Sequence, residues 1–232
     1  ASALVMWGRD LGTASVLMAI LGGLLFVSGI PLRLVGTLTA TAAVGIGFFI
    51  ATTQYRAARW SVFLNPFDPA QYKNEGWQPA HSLLGLASGG IFGVGLGGSR
   101  QKWGNLPEAH TDFIFAVIGE EIGLLGTTIV LAAFFMIAWA GIKTAITTRD
   151  PFSRYAVAGV TTWIIAQASI NIGSVTGVFP VVGLPLPLVS YGGSALISSM
   201  VGLAFILGVA RREPEAKSYF DARPKLLMWR GR

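Results

Sequence analysis

The residues fit for chemistry crowd into one stretch, positions 101–123, reading Gln-Lys-Trp-Gly-Asn-Leu-Pro-Glu-Ala-His-Thr-Asp-Phe-Ile-Phe-Ala-Val-Ile-Gly-Glu-Glu-Ile-Gly. A basic, proline-broken loop carrying Lys102, Glu108, His110 and Asp112 runs straight into an apolar segment, with Glu120 and Glu121 about two helical turns deeper. An ionisable group at membrane depth costs a few kcal/mol unless it is paired or faces water, so carboxylates at such a border are functional candidates by default. They could transfer protons at the mouth of the apolar segment or line a polar path through it. Each also has a plainer use. Asp112 or Thr111 could cap a helix beginning at Phe113. Pro107-Glu108 could begin a turn, and His110 could bond nearby backbone. Glu120 and Glu121 lie about 100° apart on a helix, so one faces protein or a cavity and the other does not. A satisfied buried polar network accounts for them as well as catalysis does.

Membrane helices must position these groups. The chain of 232 residues is 53% hydrophobic and 12% charged, with mean hydropathy +0.61, where a soluble domain carries roughly 25% charged residues. This is the composition of a multispanning membrane protein. Thirty glycines suit close helix packing. The net charge of +6 comes from Lys and Arg in the loops and tail, with no aromatic-interleaved basic patch, so it fits anionic lipid and not nucleic acid. The absence of cysteine excludes disulfides and thiol chemistry, and two separated histidines exclude a His-rich metal cluster. The chain opens Ala-Ser-Ala-Leu-Val-Met-Trp-Gly-Arg without a signal peptide's basic n-region, and it reads as a piece starting mid-protein.

Five apolar runs are long enough to be spans. Residues 11–30 and 34–53 are parted by Pro31-Leu32-Arg33; residues 113–142 would be about 45 Å long as one helix, which must tilt or protrude. Protrusion would lift Asp112 clear of lipid. Runs 155–175 and 192–210 follow, joined by a connection, 176–191, whose prolines at 180, 185 and 187 forbid continuous helix. The plan is two spans over 1–53, a large loop with partly embedded pieces over 54–112, three spans over 113–210, and a basic tail over 211–232. Residues 80–98 carry seven glycines, each weakening a helix by nearly 1 kcal/mol relative to alanine, and are read as a loop dipping into the interface. The positive-inside rule pulls the other way, since a crossing there would gather Arg9, Arg56, Arg59 and Lys73 on the tail's side and leave Arg33, Arg100 and Lys102 opposite. Either way Asp112 lies outside and the tail inside. The tail is a solvated stretch behind a basic collar, or an interfacial anchor.

Four motifs occur together in one family's order and spacing: Leu106 through Gly123, Pro187-Leu-Val-Ser-Tyr-Gly-Gly-Ser194, Asn65-Pro66, and Asp10-Leu-Gly-Thr13. Together they resemble the SEDS proteins (shape, elongation, division and sporulation), which are bacterial peptidoglycan glycosyltransferases. The Pro-Glu-Ala-His and Val-Ile-Gly-Glu-Glu wording is closer to division-type than to elongation-type members. The resemblance extends to about Arg212. It implies an all-α polytopic fold of about ten helices, of which this chain carries the last five, in a bacterial inner membrane, with residues 55–112 forming an extracytoplasmic loop. Gly8-Arg9 departs from the Glu-Pro or Gln-Pro that often precedes this Asp10, which bears on the geometry there.

The reaction this implies joins lipid II units, a sugar hydroxyl attacking the anomeric carbon of the growing strand and expelling undecaprenyl diphosphate. Asp112 matches the family's catalytic aspartate, and a lone carboxylate can take the hydroxyl proton. Arg56 and Arg59 match the basic pair ahead of Asn-Pro, and Lys102 matches the family's Gln-Lys. These would hold the diphosphate, guanidinium bidentately and lysine as a point charge, although arginines flanking a span also anchor it at headgroups. Arg100 has no motif support. A divalent cation, Mg2+ or Mn2+, could assist; no other cofactor is expected. Glu108 and His110 could orient Asp112 or contact sugar. Ser190, Tyr191, Gly192, Gly193 and Ser194 could form an anion-binding nest at a helix N-terminus or a tight glycine loop. Gln167 and Asn171, spaced i, i+4, read as interhelical glue. The implied partners are lipid II, a class B penicillin-binding protein transpeptidase and other divisome membrane proteins. The rivals are a lipid II flippase or transporter working through Glu120 and Glu121, and a non-catalytic divisome scaffold.

Overall fold

The computed structural model describes residues 10–31, 33–34, 36–37, 40–41 and 62–213. Most of the second expected span, and with it Arg56 and Arg59, lies outside the described residues. Within them the fold is all-α, built on helices α1 (Leu11–Val27), α2 (Trp77–Gly89), α3 (Ile114–Thr147), α4 (Pro151–Val175) and α5 (Gly193–Arg212). The last three are long and apolar enough to cross a membrane, and α1 is a shorter apolar helix. Asp10 caps α1, its carboxylate accepting from the Thr13 N–H at 2.9 Å and the Thr13 hydroxyl at 2.6 Å, as a helix N-terminus favours. Helix α4 begins four residues before the expected 155. Asp150 accepts from the Ser153 N–H at 2.9 Å, and Pro151, whose missing N–H costs nothing there, is the first helical residue.

Helix α4 is the hub, with α1, α3 and α5 all packed on it. Each brings a glycine to the same turn: Gly23 faces Thr162, Gly141 faces Thr161, and Gly202 faces Val160 and Trp163. Lipid tails give helices no hydrophobic reason to associate, so close backbone approach at small residues supplies the packing.

Helix α3 departs most from expectation. Its backbone breaks at Gly123, φ 73° and ψ −159°, a conformation that only glycine adopts cheaply. A break orphans the carbonyls before it and the N–H groups after it, which a membrane does not tolerate. The chain following α2 supplies both sets of partners. Val94 and Gly95 N–H donate to the carbonyls of Glu120 and Glu121 at 2.9 and 3.1 Å, and Leu124 and Leu125 N–H donate to those of Gly90 and Ile91 at 2.9 and 3.3 Å. Two unlike half-helices result. Residues 124–147, about 36 Å long and enough to cross, present Ile129, Phe135, Met136, Trp139 and Ile146 outward at 61–75% exposure. Residues 114–122 bury Phe115, Ala116, Val117, Gly119 and Glu120. Asp112 therefore stands one buried half-helix away from the crossing segment.

Residues 80–98 bring a correction. Positions 80–89 are helix, the body of α2, and not loop. The glycine penalty is offset because Gly85 and Gly89 let α2 lie directly on Ala116 and Gly119 of α3. At 13 residues, about 20 Å, α2 is too short to cross about 30 Å of hydrocarbon. Positions 90–98 turn back to plug the α3 break. Leu106, Ala109, Phe113, Phe115, Val175 and Leu186 share the buried core at this end, where the loops before α3 and after α4 collapse onto the short half-helix.

Candidate functional site

Helix α3 begins at Ile114 with Phe113 as its N-cap and no side chain capping it. Neither Asp112 nor Thr111 is spent on the helix, which removes the plainer reading of both. A tight turn precedes it, in which the Glu108 carbonyl accepts from the N–H groups of Thr111, Asp112 and Phe113 at 3.1, 3.1 and 3.2 Å. Glu108 sits at φ 57°, unusual for a side-chain-bearing residue outside Asn and Asp. The Thr111 hydroxyl bonds the Glu108 carboxylate at 2.8 Å. The Asp112 carboxylate is half-buried, and among the described residues no hydrogen bond or ion pair reaches it. Partial burial first, and the charge of Glu108 second, push its carboxyl above the ordinary aspartate value.

The connection between α4 and α5 holds this turn from the other side. Asn171 donates from one amide nitrogen to the carbonyls of Asp112 at 2.7 Å and Leu184 at 2.6 Å. Gln167, one turn along, donates to the Pro185 carbonyl at 2.9 Å. The polar stripe on α4 thus fastens loop to loop and not helix to helix, a role that sequence spacing alone did not suggest. The Ser190 hydroxyl donates to the Thr111 carbonyl and accepts from the Leu186 N–H. Tyr191 N–H donates to the His110 carbonyl at 2.9 Å, and the two rings meet edge-on at 5.6 Å. Gly183, at φ 70°, faces the carboxylate, and a Cβ there would stand 3.5 Å from Asp112 Oδ2.

Glu108, His110, Asp112, Ser190 and Tyr191 are therefore brought together. Gly192 and Gly193 open α5 beside them, while Ser194 turns to a groove it shares with Thr13, Trp163 and Gln167. A cavity of about 10 Å3 lies against Asp112, Asn171 and Gly183. It shares Ser174 and Val181 with an open cavity of about 490 Å3 that Asn65, Pro66, Glu75 and Gln78 help line. The Asn-Pro motif thus lines a cavity neighbouring the one against the carboxylate.

The remaining candidates lie around a second loop. Glu120 is 1% exposed and accepts from the Ser99 hydroxyl, the Arg100 N–H at 3.0 Å and the Gln101 N–H at 3.3 Å. Glu121 pairs with Lys102 at 2.8 Å. Both glutamates thus serve the 99–102 loop, contrary to the expectation that only one would face protein. Ser99 and Lys102 have the Ser-x-x-Lys spacing of acyl-transfer enzymes. Ser99 is 1% exposed and donates to Glu120, and Lys102 points at Glu121, so no nucleophile is formed. Mg2+ or Mn2+ needs several oxygen ligands, and no group of three or more His, Cys, Asp or Glu gathers among the described residues. These residues alone do not make a metal site.

Residues 1–215 match the cell cycle protein family of FtsW, RodA and SpoVE. The probable peptidoglycan glycosyltransferase FtsW of Mycobacterium tuberculosis is 42% identical over 216 residues, 93% of this chain and 41% of that protein. Stage V sporulation protein E of Bacillus subtilis is 38% identical over 212 residues, 90% of this chain and 56% of that protein. Among solved structures, a chain of a peptidoglycan synthase complex that coordinates polymerization and crosslinking superposes with TM-score 0.71 at 28% identity, over 90% of this chain and 58% of that one. A mutant of the Thermus thermophilus rod shape determining protein RodA gives TM-score 0.57 at 27% identity, over 91% and 53%. The chain spans about half the length of the curated relatives it matches.

Proposed function

The chain belongs to the cell cycle protein family of FtsW, RodA and SpoVE, and we propose that it polymerises lipid II into glycan strands during cell division, with Asp112 as the general base. The observation that carries this reading is a half-buried carboxylate, without a partner among the described residues, beside a small cavity that shares Ser174 and Val181 with an open one. A proton acceptor works best with a pKa near the operating pH, and burial plus Glu108 move Asp112 in that direction. The acceptor sugar's 4-hydroxyl oxygen forms the new bond to the donor's anomeric carbon, its proton passes to Asp112, and the bond to undecaprenyl diphosphate breaks with the electrons leaving on phosphate. Arg56, Arg59 and Lys102 neutralise that leaving group. One of the three lysine donors is engaged by Glu121, which leaves the others for phosphate. Glu108, His110, Ser190 and Tyr191 line the acceptor side, and the Gly192, Gly193 and Ser194 backbone opens the adjoining helix.

The Asp112 end is extracytoplasmic and the tail cytoplasmic, in keeping with Lys143, Arg149, Arg154, Arg211 and Arg212 at the opposite end of the bundle. Relatives named FtsW at 38–44% identity support the division-type assignment. The likeness to a synthase complex supports a class B penicillin-binding protein as the partner that crosslinks. The test is lipid II polymerisation by the full chain with its transpeptidase partner. Asp112→Asn is expected to lower the rate at least about 100-fold. Strands made at the wild-type rate by Asp112→Asn would overturn the proposal and leave lipid transport or scaffolding in its place.

A further inference from the structure

At the end of the bundle opposite Asp112, a cleft of about 450 Å3 opens between α1, α3 and α4, within the range of roughly 300–1,000 Å3 of small-molecule sites. Its walls are apolar: Phe26 and Val27 from α1, Ile142 and Ile146 from α3, Ala158 from α4. Phe26, Ile142 and Ile146 are 55–75% exposed, so the mouth is open and apolar. Two polar atoms break this surface. The Arg154 Nε and the Thr161 hydroxyl are buried in the cleft's lining with no hydrogen-bond partner, and Thr161 is 5% exposed. A buried guanidinium N–H without an acceptor is costly and calls for one.

The level at which Arg154 sits is marked independently. Exposed Trp139 lies under the Lys143 ammonium at 5.4 Å, and Arg154 lies over the Tyr155 ring at 5.4 Å. Aromatic and basic side chains combined in this way sit at lipid headgroups. The surroundings thus combine an apolar slot open to acyl chains, a cationic group short of an acceptor, and headgroup depth.

We infer that this cleft binds an anionic phospholipid, an acyl chain lying between α1 and α3 and the phosphodiester accepting from Arg154. Basic pockets between membrane helices take such headgroups. The site is separate from Asp112, so it stands or falls without the glycosyltransferase reading. The full chain is placed in nanodiscs of phosphatidylcholine containing a minor fraction of phosphatidylglycerol, and the lipids retained on extraction are counted by native mass spectrometry. Wild type is expected to retain phosphatidylglycerol in preference to phosphatidylcholine. Arg154→Gln is expected to lower that retention about fivefold, and Arg149→Gln, at an exposed position outside the cleft, to leave it largely unchanged. Equal retention by wild type and Arg154→Gln, no preference between the two lipids, or a second copy of the chain seated there in place of lipid would each overturn the inference.

Discussion

Two carboxylates eight positions apart, Asp112 and Glu120, stand at opposite ends of one short half-helix and have opposite surroundings. Glu120 is fully buried and takes three donors from residues 99–101, so its charge is matched by hydrogen bonds aimed at it. Asp112 is half-buried, faces Gly183 and Glu108, and has no donor among the described residues. A satisfied carboxylate holds structure, whereas an unsatisfied one is held by structure for another purpose.

That contrast is sharpest in stability. Glu120→Ala leaves three donors unpaired and is expected to cost about 3 kcal/mol, read as a lowered thermal midpoint of the full chain in detergent. Asp112→Asn should move the midpoint at pH 7 upward or not at all. Its folded-state pKa is raised, so its stabilising contribution is present below the unfolded value and is lost as pH rises through the folded one. Equal losses from the two substitutions would erase the distinction.

A smaller effect separates the groups that hold Asp112 from Asp112 itself. Asn171→Leu removes both donors to the Asp112 and Leu184 carbonyls, and a misplacement of about 1 Å can cost about 100-fold in rate. Polymerisation should fall by up to that factor in kcat, with KM for lipid II little changed. A loss confined to KM would place Asn171 in binding instead.

Three of the five expected crossings were legible because about twenty apolar residues in a row have few other uses, and Asp112 stood out as a candidate because a carboxylate at such a border is expensive. The break at Gly123 was hidden. One glycine in an apolar run looks the same whether it packs a helix or ends one, and only the plug from residues 90–95 decides between them. Helix α2 is hidden for a related reason: propensity counts the cost of glycine, while the contact with Gly119 that offsets it lies on another element. By spacing Asn171 reads as helix glue, because its partners, 59 and 13 positions away, are backbone carbonyls that carry no sequence signature.

The most direct measurement on Asp112 is the acid limb of the pH–rate profile for lipid II polymerisation, in wild type and in Glu108→Gln. A base must be ionised to act, so its raised pKa puts the wild-type limb above that of an ordinary aspartate. Removing the Glu108 charge should move the limb to lower pH. Superimposable limbs in the two proteins would contradict Asp112 as the group that takes the proton.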